Sequence, residues 1–246
     1  MTTPYERSFQ IPNSAVDRFD RLKASHILAY IQEVSGEHST LLGASRQDLM
    51  EQGLFWAVIR HRVQITRLPK AGEIITVRTW PMPTTRTAYP RSAIFYDEKG
   101  NECLRSITLW VLMDVSTRAM VLPGKSGVAV EGLLTGTELA APGSIVPKSL
   151  VNTELRQVRF SDLDVNGHMN NCRYLDWISD LLPSDFYQAR SLTGFTICYL
   201  SEATEKESLE LQWELENGPC ITVNGLRQEA DLSTGKGRVF SAQLQF

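Results

Sequence analysis

Only two stretches of this chain have the apolar spacing of an amphipathic helix, while most of the remainder alternates as β-strands do. The first covers residues 25–38, where Ile27, Ile31 and Val34 recur at intervals of four and three. The second covers residues 170–182, with aromatic and aliphatic residues along one side, and ends before a proline. Because helices are missing between successive strands, a parallel sheet built from βαβ units is excluded.

The strand-like segments alternate between apolar and polar residues. Residues 57–65 predict a strand with two distinct faces. One face carries Ala57, Ile59, His61, Val63 and Ile65, and the other carries Val58, Arg60, Arg62 and Gln64. Residues 209–215 and 240–246 alternate in the same way, and Asn217-Gly218 predicts a turn after the former.

The predicted elements follow the same order twice: a strand, a helix and then several strands. The two runs meet near residues 132–148, which are rich in Gly, Thr, Ala and Pro and have weak periodicity. We therefore expect an α+β protein with two units, residues 1–140 and residues 149–246, each an antiparallel sheet packed against one helix.

Composition excludes several classes of protein. The 246 residues carry a formal net charge of −3, so the basic field of a general nucleic-acid binder is absent and we expect no nucleic acid as a partner. No apolar run reaches the ~18–20 residues needed to cross a bilayer, which predicts no integral membrane association. The first residues have neither signal nor transit character, so we expect the protein in the cytoplasm.

The cysteines and the known cofactor motifs indicate neither a metal nor an organic cofactor. The four cysteines lie far apart without a CxxC pair, which predicts buried thiols rather than zinc ligands or disulfides. Residues 123–127 are similar to the end of a phosphate-binding loop, but Ala119 stands where that pattern requires glycine. No GxGxxG, HExxH or GxSxG motif is present. We therefore expect no cofactor and no metal.

One loop concentrates polar side chains that can carry chemistry. Asp164, Asn166 and His168 occupy every second position directly before the second predicted helix, and Gly167 allows a tight bend. The amide groups at the start of a helix favour a developing anion. The loop would therefore combine a base, an amide, an imidazole and a site for an anion. This combination is typical of enzymes that catalyse hydrolysis or acyl transfer.

The same residues admit two other interpretations, and on local physics all three remain open. An aspartate here, either Asp162 or Asp164, can cap the helix or hold the turn, which is the commoner use of such a residue. The DxD spacing of these aspartates can also ligate a divalent cation. The spacing of these residues alone therefore predicts a polar loop, but it does not distinguish a catalytic loop from a structural or a cation-binding one.

The sequence around this loop resembles the signature of the acyl-acyl-carrier-protein thioesterases, a family with plant plastid members and shorter bacterial relatives. The closest likeness is in residues 162–178, DLDVNGHMNN followed by CRYLDWI. Residues 54–67, 72–80 and 110–123 are similar to further recurrent stretches of the family, so the resemblance covers the whole chain.

The resemblance implies a tandem double hotdog fold, in which each of two long helices is wrapped by an antiparallel sheet. It also implies that Asp164, Asn166 and His168 are catalytic, together with Glu202 in a strand after the second helix. Plant members commonly have a cysteine after that glutamate, whereas this chain has Ala203. An obligatory cysteine nucleophile is therefore untenable here.

The function implied is hydrolysis of the thioester between a fatty acyl chain and acyl carrier protein, a step in fatty acid biosynthesis. Asp164 would activate water or attack the carbonyl itself, Asn166 and His168 would orient the reacting groups, and Glu202 would position water or His168. An acyl-coenzyme A thioesterase of the same fold and a non-catalytic acyl-thioester-binding protein stay as alternatives. A dehydratase is disfavoured because its histidine and acid are placed differently.

All of the residues that the resemblance implies to be catalytic lie in the second unit, whereas the first predicted helix contributes an apolar face without such residues. We therefore expect residues 149–246 to be catalytic and residues 1–140 to select the acyl chain, with Ile27, Ile31 and Val34 binding it. Plain core packing is the competing explanation for each of these three. A monomer and a homodimer both remain open, since two hotdog units in one chain can mimic a dimer.

Overall fold

The computed structural model describes residues 2–146, 148–216, 218–231 and 235–246, except for the side chain of Glu229. The chain forms two compact units, Met1–Pro142 and Gly143–Phe246. Their boundary falls inside residues 132–148, the stretch with weak periodicity. No helix in the described ranges is both long and apolar enough to span a membrane.

The first unit is an antiparallel sheet with one long helix. Its strands are β1 (Tyr5–Gln10), β2 (Leu54–Ile65), β3 (Ile74–Pro81), β4 (Tyr89–Asp97), β5 (Glu102–Asp114) and β6 (Met120–Val121). Its helices are α1 (Ala24–Leu41), α2 (Arg46–Glu51) and α3 (Pro123–Ser126), with a 3-10 turn at Asn13–Ala15. The strands pair in the order β1-β3-β4-β5-β2, and β6 pairs with Leu112 and Met113 near the C-terminal end of β5.

Helix α1 confirms the first predicted helix and extends it at both ends. It continues to Leu41, two residues before Gly43, whose left-handed φ of 70° is typical of a residue that follows a helix end. Its buried face carries the predicted apolar residues Ile27, Ile31 and Val34, none more than 1% exposed. This face lies against β3 and β1.

Strand β2 departs from the alternation that its sequence predicts. Val58 and Arg60 pair with consecutive residues of β5, so Ile59 is an extra residue in β2. Such a β-bulge shifts the inward-facing positions by one. Val58 is therefore buried, whereas Ala57 and Ile59, predicted to share the face of the buried His61, are half-buried.

The second unit is a smaller antiparallel sheet with two short helices. Its strands are β7 (Asn152–Gln157), β8 (Gly194–Tyr199), β9 (Ser208–Glu216), β10 (Cys220–Asp231) and β11 (Lys236–Gln245). Its helices are α4 (Arg173–Ser179) and α5 (Ser184–Ala189), with a 3-10 turn at Phe160–Asp162. The strands pair in the order β8-β11-β10-β9-β7. The turn predicted between β9 and β10 includes Asn217, which lies outside the described residues.

Helix α4 is shorter than the predicted residues 170–182. It begins only at Arg173 because Asn170 belongs to the preceding turn, where its Oδ1 accepts a hydrogen bond from the Cys172 amide at 2.9 Å. It ends at Ser179, and Pro183, which lacks an amide proton, separates it from α5. The second predicted helix is therefore present, but it is a short helix of seven residues and not one that covers residues 170–182.

Aromatic rings join α4 to the sheet of the second unit. The ring of Tyr174 meets those of Phe240 and Tyr199 edge-on, with centroids 4.8 Å and 5.5 Å apart. Phe240 in turn lies directly over Gly225 of β10, where a Cβ atom would stand 2.0 Å from the ring. Glycine is therefore required at this position for Phe240 to reach Tyr174.

Candidate active site

The loop of residues 164–168 is a tight turn held by one aspartate. Asp164 Oδ1 accepts hydrogen bonds from the backbone amides of Asn166, at 2.8 Å, and His168, at 3.3 Å. The Asp164 amide donates to the His168 carbonyl at 2.8 Å, which closes the turn. Gly167 adopts a φ of 77°, a conformation that residues with a side chain rarely take. The turn therefore depends on the aspartate and the glycine together.

The side chains of Asp164 and Asn166 also meet. Asn166 Nδ2 donates to Asp164 Oδ2 at 3.4 Å. The Asp164 carboxylate thus accepts three hydrogen bonds from its own loop, out of the roughly four that an ionised carboxylate can accept. Holding the turn and offering an oxygen to a further ligand are therefore compatible roles for Asp164.

A second loop, residues 200–204 after β8, lies beside the first. The Met169 amide donates to the Ala203 carbonyl at 2.8 Å, and His168 forms an antiparallel bridge with Thr204. These contacts bring Glu202 Oε2 to 3.5 Å from His168 Nε2. The four residues predicted to be catalytic therefore lie on two adjoining loops of the second unit.

Glu202 occupies a different element from the one predicted. Strand β8 ends at Tyr199, so Glu202 belongs to the loop that follows and not to a strand. Its side chain is 44% exposed and that of His168 is 23% exposed, so both can be reached from solvent.

The predicted approach of the loop to a helix start is also wrong in detail. Residues 169–172 separate His168 from α4, which begins at Arg173. The Cys172 and Arg173 amides already donate to Asn170, one to its side chain and one to its carbonyl. These two amides are therefore not available as ready donors for an oxyanion.

The cysteines do not offer a reactive thiolate near the two loops. Burial raises the pKa of the Cys172 thiol to about 12, and the negative charge of Asp176 acts in the same direction. Cys103 and Cys198 are also buried, Cys220 is half-buried, and all four are free thiols, as the sequence predicts. Ala203, where plant members commonly have cysteine, is completely buried. Within the described ranges no three His, Cys, Asp or Glu side chains gather as metal ligands.

Three residues predicted to bind the acyl chain, Ile27, Ile31 and Val34, lie in α1 of the first unit. They belong to its closely packed interior, so their position alone is equally consistent with core packing.

One charged residue that the sequence analysis did not single out contacts the Glu202 loop. Arg227, in β10, donates hydrogen bonds to Ser201 and to the backbone of Glu202. No local pattern marks this residue, because only the strand pairing brings β10 to the loop.

Two models of known protein families match most of the chain. Residues 2–122 match the model for the acyl-ACP thioesterase N-terminal domain, and residues 148–238 match that for the acyl-ACP thioesterase C-terminal domain. The chain belongs to the acyl-ACP thioesterase family. The resemblance read from the residues around Asp164 is thereby confirmed.

Plant members of the family are detectably similar over most of this chain. The chloroplastic dodecanoyl-[acyl-carrier-protein] hydrolase of Cinnamomum camphora is 25% identical over 249 residues, which cover 93% of this chain and 62% of that protein. The chloroplastic palmitoyl-acyl carrier protein thioesterase of Cuphea hookeriana is 24% identical over 221 residues, covering 84% and 53%. The chain thus spans about half the length of such relatives.

Solved structures of two family members share the fold. An acyl-ACP thioesterase from Bacteroides thetaiotaomicron superposes with a TM-score of 0.86 at 21% identity, covering 99% of this chain and 97% of that one. The 12:0-ACP thioesterase from Umbellularia californica gives 0.81 at 21% identity, covering 98% and 96%. The predicted α+β tandem hotdog fold is therefore confirmed.

Proposed function

We propose that this protein hydrolyses fatty acyl-acyl carrier protein thioesters to free fatty acid and carrier, as a step in fatty acid biosynthesis in the cytoplasm. The observation that carries the proposal is the meeting of Asp164, Asn166, His168 and Glu202 on two adjoining loops, in a chain of the acyl-ACP thioesterase family. The acyl carrier protein is then the partner that delivers the substrate.

The geometry suggests a division of roles within this group. Asp164 retains acceptor capacity beyond its three loop contacts, so it can take a proton from water as that water attacks the thioester carbonyl. His168, oriented by Glu202, gives a proton to the thiolate when the carbon–sulfur bond breaks, and the proton held by Asp164 then passes through solvent to His168, so that both groups return to their starting states. The products are a carboxylic acid and the free thiol of the carrier. A direct attack by Asp164, with a transient anhydride that water then hydrolyses, uses the same atoms.

The carrier-linked substrate separates this proposal from its alternatives. Acyl-ACP and acyl-coenzyme A thioesters of matched chain length, assayed for release of free thiol, are expected to show the higher kcat/KM on the carrier substrate. A thiolate is a good leaving group that needs no Lewis acid, so we expect full activity in the presence of a chelator. Preference for coenzyme A esters would indicate the related thioesterase, and binding without thiol release would indicate a non-catalytic acyl-thioester-binding protein.

We further propose that the first unit selects the acyl chain through Ile27, Ile31 and Val34. Replacing each of them singly with phenylalanine is expected to shift the preference toward shorter chains, since each excluded methylene forfeits about 0.8 kcal/mol of burial. The measurement is kcat/KM across a series of acyl-ACP chain lengths, together with the melting temperature.

The matched control for this series is Ile178→Phe in α4, a position that is equally buried in the other unit. Overpacking alone costs about 1–3 kcal/mol and lowers activity on every chain length alike. If all three α1 variants behave as the control does, these residues are plain core and the selection proposal is wrong.

A further inference from the structure

We propose that Arg227 and Glu207 act as a clamp that positions Glu202 against His168. This inference rests on the proposed function, because the clamp acts through the loop that carries Glu202. Neither residue contacts the reacting atoms in the proposed mechanism, so both are positioning residues.

Arg227 holds the start of the loop with two arms of its guanidinium. Its Nη2 donates to the Glu202 carbonyl at 2.7 Å, and its Nη1 donates to Ser201 Oγ at 2.7 Å. Its Nε forms an ion pair with Glu207 Oε1. The three contacts use three different nitrogens of the planar guanidinium, so the single ammonium nitrogen of lysine is not expected to reproduce all of them.

Glu207 holds the other end of the same loop. Its Oε2 accepts a hydrogen bond from the Thr204 amide at 2.9 Å, while its Oε1 meets Arg227. Thr204 is the residue that bridges to His168. The ion pair between Arg227 and Glu207 therefore links the carbonyl of Glu202 to the amide of Thr204, the residue that bridges to His168.

The clamp is itself anchored in the sheet. Arg227 follows Leu226, which pairs with Glu210 of β9 and Arg238 of β11. On the other side, Ser201 Oγ donates to the Arg238 carbonyl at 3.0 Å, and the Leu200 amide donates to the Val239 carbonyl at 2.8 Å. The loop is therefore held between β10 and β11 at its start, and by Glu207 at its end.

The catalytic consequence follows from the exposure of Glu202. The Glu202 side chain is 44% exposed, and the backbone that carries it is the part of the loop that Arg227 contacts. The carboxylate stands 3.5 Å from His168 Nε2, where a small displacement separates the pair. Misplacement of a reacting group by about 1 Å can cost about 10²-fold in rate.

The test compares Arg227→Gln with a matched control, Arg67→Gln. Arg67 is likewise a partly exposed arginine with several partners, among them the carboxylates of Glu73 and Asp97, but it lies in the first unit. We expect Arg227→Gln to lower kcat on acyl-ACP by about 10–100-fold, with little change in KM, and Arg67→Gln to leave kcat unaltered at a similar loss of melting temperature. Arg227→Lys is expected to recover only part of the loss, and it keeps the test open if the glutamine variant fails to fold.

A double-mutant cycle identifies the route by which Arg227 acts. If the clamp works through Glu202, Arg227→Gln added to Glu202→Gln should lower kcat little further, whereas independent effects multiply. Amide exchange at Met169 and Thr204 should be faster in Arg227→Gln than in wild type and unaltered in Arg67→Gln. The clamp proposal is wrong if the two losses of kcat multiply in the double variant. It is also wrong if Arg227→Gln leaves kcat unchanged, or if it leaves the amide exchange of Met169 and Thr204 unchanged.

The exchange measurement also separates this inference from the proposed function. A wild-type protein inactive on acyl-ACP would remove the proposed function, yet the amide exchange of Met169 and Thr204 would still report whether Arg227 holds the loop. If the wild type is active on acyl-ACP and Arg227→Gln has the same kcat and amide exchange, only the clamp proposal is wrong.

Discussion

Replacing Asp164 with asparagine is expected to lower the turnover number on acyl-ACP by ~10²–10⁴, the range for loss of a positioned general base. Asparagine keeps an acceptor oxygen, so the hydrogen bonds from the Asn166 and His168 amides can persist and the turn keeps its shape. The loss therefore reports the carboxylate and not the fold of the loop. Steady-state kinetics, with the melting temperature as a check on folding, measures it.

The matched control is Asp162→Asn in the same segment. Asp162 Oδ2 accepts a hydrogen bond from the Arg159 amide at 2.9 Å, and its carbonyl accepts one from the Asn170 amide at 2.8 Å. These contacts hold the 3-10 turn, so we expect a small loss of stability and a nearly unchanged turnover number. A larger loss of turnover at Asp162 than at Asp164, with both variants folded, would reverse the assignment.

Lowering the pH from 7 to 5 is expected to destabilise the first unit by roughly 4 kcal/mol, about 2 for each of two buried histidines. Burial, reinforced by the charge of Arg91, lowers the pKa of His38 to about 4. Burial lowers the pKa of His61 to about 3. His38 Nδ1 lies 3.0 Å from Arg91 Nη1, and His61 Nδ1 lies 2.9 Å from Thr108 Oγ1. Arg91 is itself buried, which lowers its pKa to about 10.

The sign follows from the two states of each imidazole. Both are neutral in the folded protein and bind a proton near pH 6.5 once unfolded. Their contribution to stability is thus complete above that pH and is lost progressively as the pH falls toward the folded pKa values of about 4 and 3.

Urea unfolding at pH 7, 6 and 5 measures the effect. His38→Gln and His61→Gln should each remove about half of the slope of unfolding free energy against pH, even where the variant is less stable at pH 7. A slope that persists in the double variant would assign the acid sensitivity to other groups.

The sequence determined those features that depend on neighbouring residues. The apolar spacing of α1 and the absence of helices between strands were enough to predict the α+β class, because both follow from the local periodicity of the backbone. Asp164, Asn166 and His168 lie within five residues of one another, so their common loop was also predictable. The family signature around them identified the fold.

Tertiary structure decided everything that depends on partners distant in the chain. The bulge at Ile59 arises from the pairing of β2 with β5. Glu202 and Arg227 come from separate segments, and only the pairing of β8, β11 and β10 brings them to the His168 loop. Local propensity cannot specify such contacts, because they form only when strand register and the aromatic packing of α4 set the two loops side by side.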